Sequence, residues 1–222
     1  MDKIVISLGG SVVYSKSLNV DFVEDFAFML TSLSSLEKCG IVVGGGTVAR
    51  DYIGPLSKKN VSNYYLDRVG IRATRLNAEV LLNLVNDCHK TVPETVDDAM
   101  ILWNGKKFVV MGGTGPGHTT DTVAMLLAEA AGIHEFINGT SVDGVYSSDP
   151  TADSNATKYT KLSYDEALTL SLESYKKAGS NVFMDPISLI IARRAGIKIH
   201  VIKGDITRNY KEIIEGKKVW EP

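Results

Sequence analysis

Three short apolar runs, each ending in a cluster of glycines, constrain the fold more than any other feature of the sequence. These runs and their clusters are KIVISLGG (3–10), IVVGGG (41–46) and KFVVMGG (107–113). An amphipathic segment with apolar residues at helical spacing follows each cluster. The repetition of strand, glycine turn and helix predicts an α/β fold, with a mainly parallel sheet covered by helices on both faces.

Further runs complete the predicted order of elements. Additional strands are predicted at HEFI (134–137), KIHVI (198–202) and KVW (218–220). Helical spacing indicates helices near 19–36, 47–53, 62–88, 120–131, 163–172, 186–195 and 207–214. The Gly-Pro pair at 54–55 is expected to end the helix that begins at 47, because both residues disfavour a helix interior.

Composition and charge indicate how large a core the chain can bury and which kinds of molecule it is expected to bind. The chain has 222 residues, 44% of them hydrophobic, which is enough to bury a core as one large domain or two tightly joined lobes. A net charge of -2 gives no electrostatic reason to expect nucleic acid or an anionic membrane as a partner. No apolar run has the length of a membrane span or a secretory signal, and Cys39 and Cys88 lack metal-ligand spacing. We therefore expect reduced thiols and a cytoplasmic location.

The glycine clusters predict a site for phosphate groups. Parallel sheets bind ligands beyond the carboxyl ends of their strands, and glycine allows the backbone to approach a ligand closely. The helix after each turn directs its free N–H groups outward and favours an anion by ~0.3–1 kcal/mol. Neither the GxxxxGK[ST] pattern of P-loop enzymes nor the GxGxxG pattern of dinucleotide sites is present. Several clusters at one edge indicate a ligand with several phosphates.

Five motifs together resemble the amino-acid-kinase superfamily, and within it the uridylate kinases of the archaeal type. They are GGS (9–11), GGG-x-x-x-R (44–50), GGT-x-PGHTTD (112–121), NGTSVDGVYSSDP (138–150) and AGSNVFMDP (178–186). The resemblance implies a three-layer α/β/α sandwich with a mainly parallel central sheet, in a single domain. Its N-terminal half, about 1–137, would bind UMP, and its C-terminal half, about 138–222, would bind ATP.

The same resemblance implies two sets of binding residues and no metal ligand among the side chains. UMP would be bound by Gly45, by Asp67 through the ribose hydroxyls, and by Gly113, Thr114, Gly115, Pro116, Gly117, His118 and Thr119. ATP would be bound by Gly9, Gly10, Gly46, Arg50, Thr140, Tyr146 and Asp149. Gly10 and Arg50 are the predicted catalytic positions.

The implied reaction is the transfer of a phosphoryl group from MgATP to UMP, giving ADP and UDP for pyrimidine biosynthesis. The attacking phosphate oxygen is already ionised near neutral pH, so no general base is needed. Catalysis would depend on positioning and on neutralising charge, which requires Mg²⁺. Mg²⁺ prefers phosphate oxygens and water, so few protein ligands are expected. The resemblance also implies a homo-oligomer, with a hexamer as the expected form.

The chain departs from many members of the superfamily at three positions that often carry charge. Ser7 stands where a lysine is common, Ser141 where an aspartate is common, and the segment 183–185 lacks a common lysine. We therefore expect Arg50 to supply most of the positive charge at the transferred phosphoryl group. Lys3 and Lys16 are weaker candidates for this role.

Two alternative functions stay open at this stage. One is another small-molecule kinase with the same fold, such as an isopentenyl phosphate kinase or an amino-acid kinase that forms acyl phosphates. Asp67 argues against an isoprenoid acceptor, which would need an apolar channel at that position. The other is a nucleotide-binding or storage protein without turnover, which the absence of the lysine at Ser7 keeps open.

Several polar residues, including Thr119 of the UMP set, could have a structural role as well as a functional one. Thr119 or Thr120 is expected to cap the helix that follows, and Asp121 favours its first turn. Arg72 and Arg75 could reach a phosphate or a subunit interface, although a solvated helix face is the simpler expectation. Asp143 is expected to shape the turn before Gly144 rather than to bind metal.

Overall fold

The computed structural model describes residues 1–148, 150, 153–176 and 183–217, with only the backbone described at 175–176. The strands in these residues are β1 (Lys3–Leu8), β2 (Lys38–Val43), β3 (Phe108–Met111), β4 (Glu135–Thr140), β5 (Val145–Tyr146), β6 (Lys158–Tyr159) and β7 (Lys198–Lys203). The helices are α1 (Gly10–Val13), α2 (Val20–Ser32), α3 (Gly46–Ser57), α4 (Asn63–Leu84), α5 (Val96–Trp103), α6 (Thr120–Ala130), α7 (Tyr164–Lys176), α8 (Pro186–Ala195) and α9 (Thr207–Ile214).

Five of the strands form one parallel sheet with the order β3-β2-β1-β4-β7. Because all its strands run in the same direction, their carboxyl ends lie along one edge of the sheet. Strand β1 is central, and its register places Ser7 beside Val42 of β2 and Asn138 of β4. The glycine turns after β1 and β2 are therefore neighbours in space, as the sequence predicted.

Helices cover both faces of this sheet and create two hydrophobic cores. Ile4, Ile6 and Leu8 of β1 pack into a core with α2, α4 and α9, whereas Val5 packs into a second core with α5, α6 and α8. The split follows from strand geometry, since successive side chains point to opposite faces. All four side chains are fully buried. The predicted three-layer α/β/α sandwich is confirmed.

The division between the predicted N- and C-terminal halves falls inside a strand of this sheet. Strand β4 contains residues on both sides of the 137/138 boundary, and it pairs with β1 from the first half and β7 from the second. The two halves therefore share one continuous sheet. A separate antiparallel ribbon of β5 and β6 follows β4 in the second half.

Most predicted elements are confirmed, but the helices predicted at 19–36 and 62–88 each end four residues earlier, at Ser32 and Leu84, and α5 was not predicted. Helix α3 does not end at the Gly-Pro pair but continues to Ser57, with Pro55 in its last turn. The missing N–H of Pro55 would donate to the carbonyl of Asp51, so the proline costs one helical hydrogen bond, and the helix continues for only two residues after it. Ser57 Oγ donates to the Gly54 carbonyl at 2.9 Å, which supports this turn. The predicted KVW strand lies outside the described residues.

Candidate active site

Helix α4 contacts two of the three glycine segments and brings them together. Asn77 Nδ2 donates a 2.8 Å hydrogen bond to the Gly44 carbonyl in the second glycine turn. On the third segment, Thr74 Oγ1 accepts from the backbone N–H of Gly113 at 2.7 Å. Side chains three or four residues apart on a helix lie on the same face, so Thr74 and Asn77 can contact both segments from one face of α4.

Asp67, one turn from the start of α4, lies where the resemblance predicted a substrate contact. Its Oδ2 accepts a 2.8 Å hydrogen bond from the backbone N–H of Gly117. The predicted acceptor residues Asp67 and 113–119 are thus in contact with each other. Gly45 is also near α4, since a Cβ built on Gly45 would lie 3.5 Å from the Thr74 methyl carbon. The structure therefore brings together all the residues predicted to bind UMP.

Arg75 also contacts the third glycine segment, contrary to expectation. Its Nε donates to the Gly113 carbonyl at 3.1 Å, and its Nη2 donates to the carbonyls of Thr114 and Glu94 at 3.3 and 3.2 Å. Its Nη1 lies 3.1 Å from Glu94 Oε2, and the Arg75 side chain is only 22% exposed. The prediction of a solvated helix face is wrong for Arg75, whereas Arg72 on the same helix is exposed.

The first and second glycine turns meet backbone to backbone. A Cβ on Gly10 would lie 2.1 Å from the backbone N of Gly46 and 2.4 Å from the Gly44 carbonyl oxygen. Gly46 itself has a φ of +58°, which disfavours other residues. Gly9 N–H donates to the Gly139 carbonyl at 3.0 Å, which joins the first turn to the end of β4. Gly9, Gly10 and Gly46, predicted to bind ATP, thus lie together next to Thr140.

A polar cluster lies beside these turns, between β1, α6 and α8. Ser7 Oγ donates to Asp121 Oδ1 at 2.6 Å, so the residue that replaces the common lysine is bonded to a carboxylate. Thr119 and Thr122 both donate their hydroxyl protons to the carboxylate of Asp185, at 2.5 and 2.8 Å. Asp185 is buried, and it also caps α8 by accepting from backbone N–H groups.

Thr119 confirms one capping prediction, and the cluster contains residues that the sequence did not identify. Thr119 Oγ1 accepts from the backbone N–H of Thr122 at 3.1 Å and is the N-cap of α6. Its single proton is donated to Asp185, so toward a ligand Thr119 can offer only a lone pair. Asn138 Nδ2 donates to the Phe183 carbonyl at 2.8 Å, and its side chain also hydrogen-bonds to Asp121. Asp185 and Asn138 both lie in motifs quoted above, but their places in this cluster depend on long-range packing that the sequence did not show.

The carboxyl group of Asp121 has an unusual proton affinity. Burial raises the pKa of Asp121 from 3.8 to about 6; the hydrogen bond from Ser7 opposes the rise, and the neighbouring Asp185 adds to it. Taking a carboxylate out of water disfavours its charged form, which is why desolvation dominates. The site thus holds two carboxyl groups where phosphates are expected, and Ser7 contributes no charge.

The remaining predicted residues are distributed around the same edge of the sheet. Arg50 is exposed, with Nη2 3.2 Å from the hydroxyl of Thr47 in the first turn of α3. His118 is exposed in the third glycine segment. Thr140 Oγ1 donates to the Val142 carbonyl at 2.9 Å and shapes the turn after β4. Asp149 lies outside the described residues.

Tyr146 belongs to a small polar group on the β5–β6 ribbon. Its hydroxyl donates to Asp143 Oδ1 at 2.6 Å, and Lys158 Nζ lies 2.6 Å from Asp143 Oδ2. Partial burial opposes ionisation of Asp143, but the bonds from Lys158 and Tyr146 outweigh it and lower the pKa of that carboxyl. Asp143 therefore joins the ribbon to the turn around Gly144, in agreement with the structural role predicted for it.

Comparisons with known proteins identify the class to which this fold and site belong. The model of the amino acid kinase family matches residues 2–203. The chain therefore belongs to the amino acid kinase family.

Relatives within this family are similar over nearly the whole chain. A uridylate kinase from Thermoplasma acidophilum is 47% identical over 215 residues, which are 97% of this chain and 93% of that protein. One from Archaeoglobus fulgidus is 41% identical over 98% of this chain and 97% of that protein. The crystal structure of uridylate kinase from Archaeoglobus fulgidus superposes with a TM-score of 0.85 at 40% identity, covering 97% of this chain and 96% of that one. A UMP kinase from Ureaplasma parvum shares the fold, with a TM-score of 0.78 at 24% identity, over 98% of this chain and 96% of that one.

The raised pKa of Asp121 predicts a specific dependence of stability on pH. Because the folded-state pKa lies above the unfolded value, the folded state binds the proton more tightly, and this contribution is lost as pH rises toward about 6. The free energy of unfolding of the parent, relative to Asp121→Asn, should therefore fall by about 2 kcal/mol from about pH 4.5 to about pH 6.5. Urea titrations of both proteins at several pH values measure this difference.

Asp143→Asn is the matched control, because the pKa of Asp143 is lowered. Its contribution is lost only as pH falls through the acidic pKa, so its difference curve should stay nearly flat over the same pH range. A flat curve for Asp121→Asn as well would contradict the raised pKa.

Proposed function

We propose that this chain is an ATP-dependent UMP kinase, which transfers the γ-phosphoryl group of MgATP to UMP in pyrimidine nucleotide biosynthesis. The main support is the meeting of the three glycine segments at the carboxyl edge of the sheet, with Asp67 in contact with the third. Similarity to uridylate kinases over 97% of the chain supports the same assignment. A nucleotide acceptor explains a polar Asp67 at this place, where an isoprenoid phosphate would need apolar side chains.

The proposal assigns the two nucleotides to adjacent groups of residues. UMP would lie against Gly45, Asp67 and the segment 113–119, all of which contact α4 or one another. ATP would lie on the other side, against Gly9, Gly10 and Gly46, with Arg50, Thr140, Tyr146 and Asp149 around it. The direct contact between Gly10 and the Gly44–Gly46 turn would place the donor and acceptor phosphates close together. In this arrangement UMP would lie within the N-terminal half, about 1–137, whereas ATP would contact both that half, through its glycine turns and Arg50, and the C-terminal half, about 138–222.

The chemistry would depend on alignment and charge rather than on a general base. The acceptor phosphate is already ionised, so Asp121 is not needed to remove a proton. Two carboxyl groups near several phosphates create repulsion, which positive charge must offset. Mg²⁺ would supply part of this charge by binding phosphate oxygens.

The protein groups around the site fit a metal that arrives with the nucleotide. Within residues 1–148, 150, 153–176 and 183–217, no group of three or more His, Cys, Asp or Glu side chains could hold a metal ion. Mg²⁺ commonly keeps several waters and needs only one or two carboxylates in addition to phosphates. In this proposal Mg²⁺ would be held by phosphate oxygens and water, with no metal ligand among the side chains.

We propose a homo-oligomer, with a hexamer as the expected form. Tyr52 of α3 and Tyr64, Tyr65 and Leu76 of α4 are more than half exposed. Helices α3 and α4 pack against each other, so these side chains form apolar surface on neighbouring elements. Exposed apolar surface of this kind marks interaction sites. Sedimentation velocity tests the assembly, and a single species of 24.1 kDa would contradict it.

A cytoplasmic location is part of the proposal. Cys39 and Cys88 are both buried and unpaired, as expected of a protein in a reducing compartment. Burial raises the pKa of the Cys88 thiol to about 11, so it remains protonated at neutral pH. In the described residues, no helix combines the length and apolar character that crossing a membrane requires.

The acceptor can be tested directly by measuring ADP release with MgATP and a panel of acceptors. We expect turnover with UMP to exceed turnover with CMP, AMP, dTMP and isopentenyl phosphate by at least about tenfold, since a site that hydrogen-bonds one ligand rejects analogues strongly. A preference for isopentenyl phosphate would favour the alternative kinase. Thermal stabilisation by UMP or ATP without ADP release from any acceptor would indicate a nucleotide-binding protein instead.

Arg50 gives a second test of the proposed reaction. If its guanidinium neutralises the transferred phosphoryl group, Arg50→Ala should lower kcat by about 10²–10³-fold, the usual loss for a group that stabilises transition-state charge. Lys59 lines the same surface hollow as Arg50 and provides the control, because Lys59→Ala should leave kcat within about twofold. A kcat for Arg50→Ala within a fewfold of the parent would rule out this role.

A further inference from the structure

The acceptor loop, defined as residues 112–119, needs external contacts to hold one conformation. Four of its eight residues are glycine, and glycine loses more conformational freedom on ordering than any other residue. Its outer part is open, since no described atom lies within 4 Å of a Cβ built on Gly115 or Gly117. The groups that order the loop must therefore act at its base and on its backbone.

Arg75 makes the most extensive of these contacts. Its guanidinium joins the loop to a second segment, because it donates to the carbonyls of Gly113 and Thr114 in the loop and to that of Glu94 ahead of α5. Thr74 binds the N–H of the same Gly113, so this residue is fixed from both sides by adjacent residues of α4. The backbone of the loop also lies close to the backbone of α4, since a Cβ on Gly112 would lie 2.7 Å from the backbone N of Arg75.

The donors of Arg75 are almost fully used within the protein. A guanidinium has five N–H donors in a fixed planar arrangement. Nε serves one carbonyl, Nη2 serves two, and Nη1 pairs with the Glu94 carboxylate at 3.1 Å. The carboxylate of Glu94 also balances the charge of Arg75. An arginine committed in this way has little left to offer a substrate phosphate.

We infer that Arg75 is a positioning residue for the acceptor site, which holds the loop 112–119 in the conformation that binds UMP without contacting UMP itself. This inference rests on the proposed function and adds to it a residue that the family motifs did not identify. Its effect is specific to the acceptor loop, because the first two glycine turns, which include the residues assigned to ATP, are held by other contacts, including those of Gly9 with Gly139 and of Asn77 with Gly44.

The first test separates the two substrates kinetically. In Arg75→Ala, KM for UMP should rise by at least about tenfold, the size expected when hydrogen bonds from a charged group are lost. KM for ATP should stay within about twofold of the parent. Hydrogen exchange without ligand should become faster in residues 112–119, because those amides lose the contact that orders them.

The second test distinguishes positioning from direct binding of phosphate. Glu94→Gln removes the charge that balances Arg75 but keeps an oxygen that accepts from Nη1, and it leaves the Glu94 carbonyl unchanged. A positioning role predicts a KM for UMP within about twofold of the parent. If Arg75 bound the phosphate, the freed positive charge would lower KM for UMP and make it more sensitive to salt, and that result would overturn the inference.

Two further variants distinguish the loss of Arg75 contacts from general misfolding of the protein. Arg75→Lys keeps the charge and the aliphatic stem, but an ammonium cannot span three carbonyls, so KM for UMP should again rise by about fivefold or more. Arg193→Ala is the matched control, since Arg193 makes an exposed ion pair with Asp165 at 2.8 Å. Removing such a pair should leave both KM values and the loop exchange unchanged.

Failure of this inference can be told apart from failure of the proposed function. An unchanged KM for UMP in both Arg75 variants, or an equal rise in KM for ATP, would contradict positioning of the acceptor loop. If the parent itself releases no ADP with UMP, the proposed function fails, but the exchange measurement still applies. Loop amides that exchange as slowly in Arg75→Ala as in the parent would then overturn the role of Arg75.

Discussion

The hydrogen bonds between α4 and the glycine segments are the contacts on which the candidate site depends. Glycine turns give a backbone the freedom to approach a ligand, but the same freedom leaves them disordered unless other groups fix them. One helix provides these groups through Asn77 on the second turn and through Asp67, Thr74 and Arg75 on the third segment. Because α4 also packs its apolar face into the core with β1 and α2, the position of the site is set by the core itself.

The electrostatic character of the site follows from the replacement of a lysine by Ser7. A lysine at this position would pair with Asp121 and offset its charge, whereas a hydroxyl can only donate a hydrogen bond. Burial raises the pKa of this carboxyl to about 6, and the hydrogen bond from Ser7 offsets only part of the rise. Near neutral pH the site is therefore poor in positive charge from its own side chains. A reaction between two phosphate groups here would need Mg²⁺ and Arg50 to compensate.

The fold could be predicted from the sequence to a large extent, because its main signals are local. Apolar runs that end in glycines identified β1, β2 and β3, and helical spacing identified α2, α4 and α6. The contacts between residues of the site could not be predicted from the sequence in the same way. Ser7 and Asp121 are 114 residues apart, and Arg75 reaches a loop 38 residues away, so only the packed fold brings them together. Arg72 and Arg75 look alike in the sequence, and their different environments depend on which face of α4 meets the loop. At Pro55 the prediction failed for the opposite reason. The Gly-Pro pair is a strong local signal for the end of a helix, but Pro55 lies in the last turn of α3, where the helix tolerates it.

Hydrogen exchange measured with each nucleotide separately would examine most directly whether these segments form the two halves of one nucleotide site. UMP should slow exchange in residues 112–119 and around Asp67, whereas an ATP analogue with Mg²⁺ should slow it at Gly9 and Gly10 and in residues 139–146. Protection by both ligands at a different edge of the sheet, or UMP protection that leaves both residues 112–119 and the surroundings of Asp67 unchanged, would contradict the assignment.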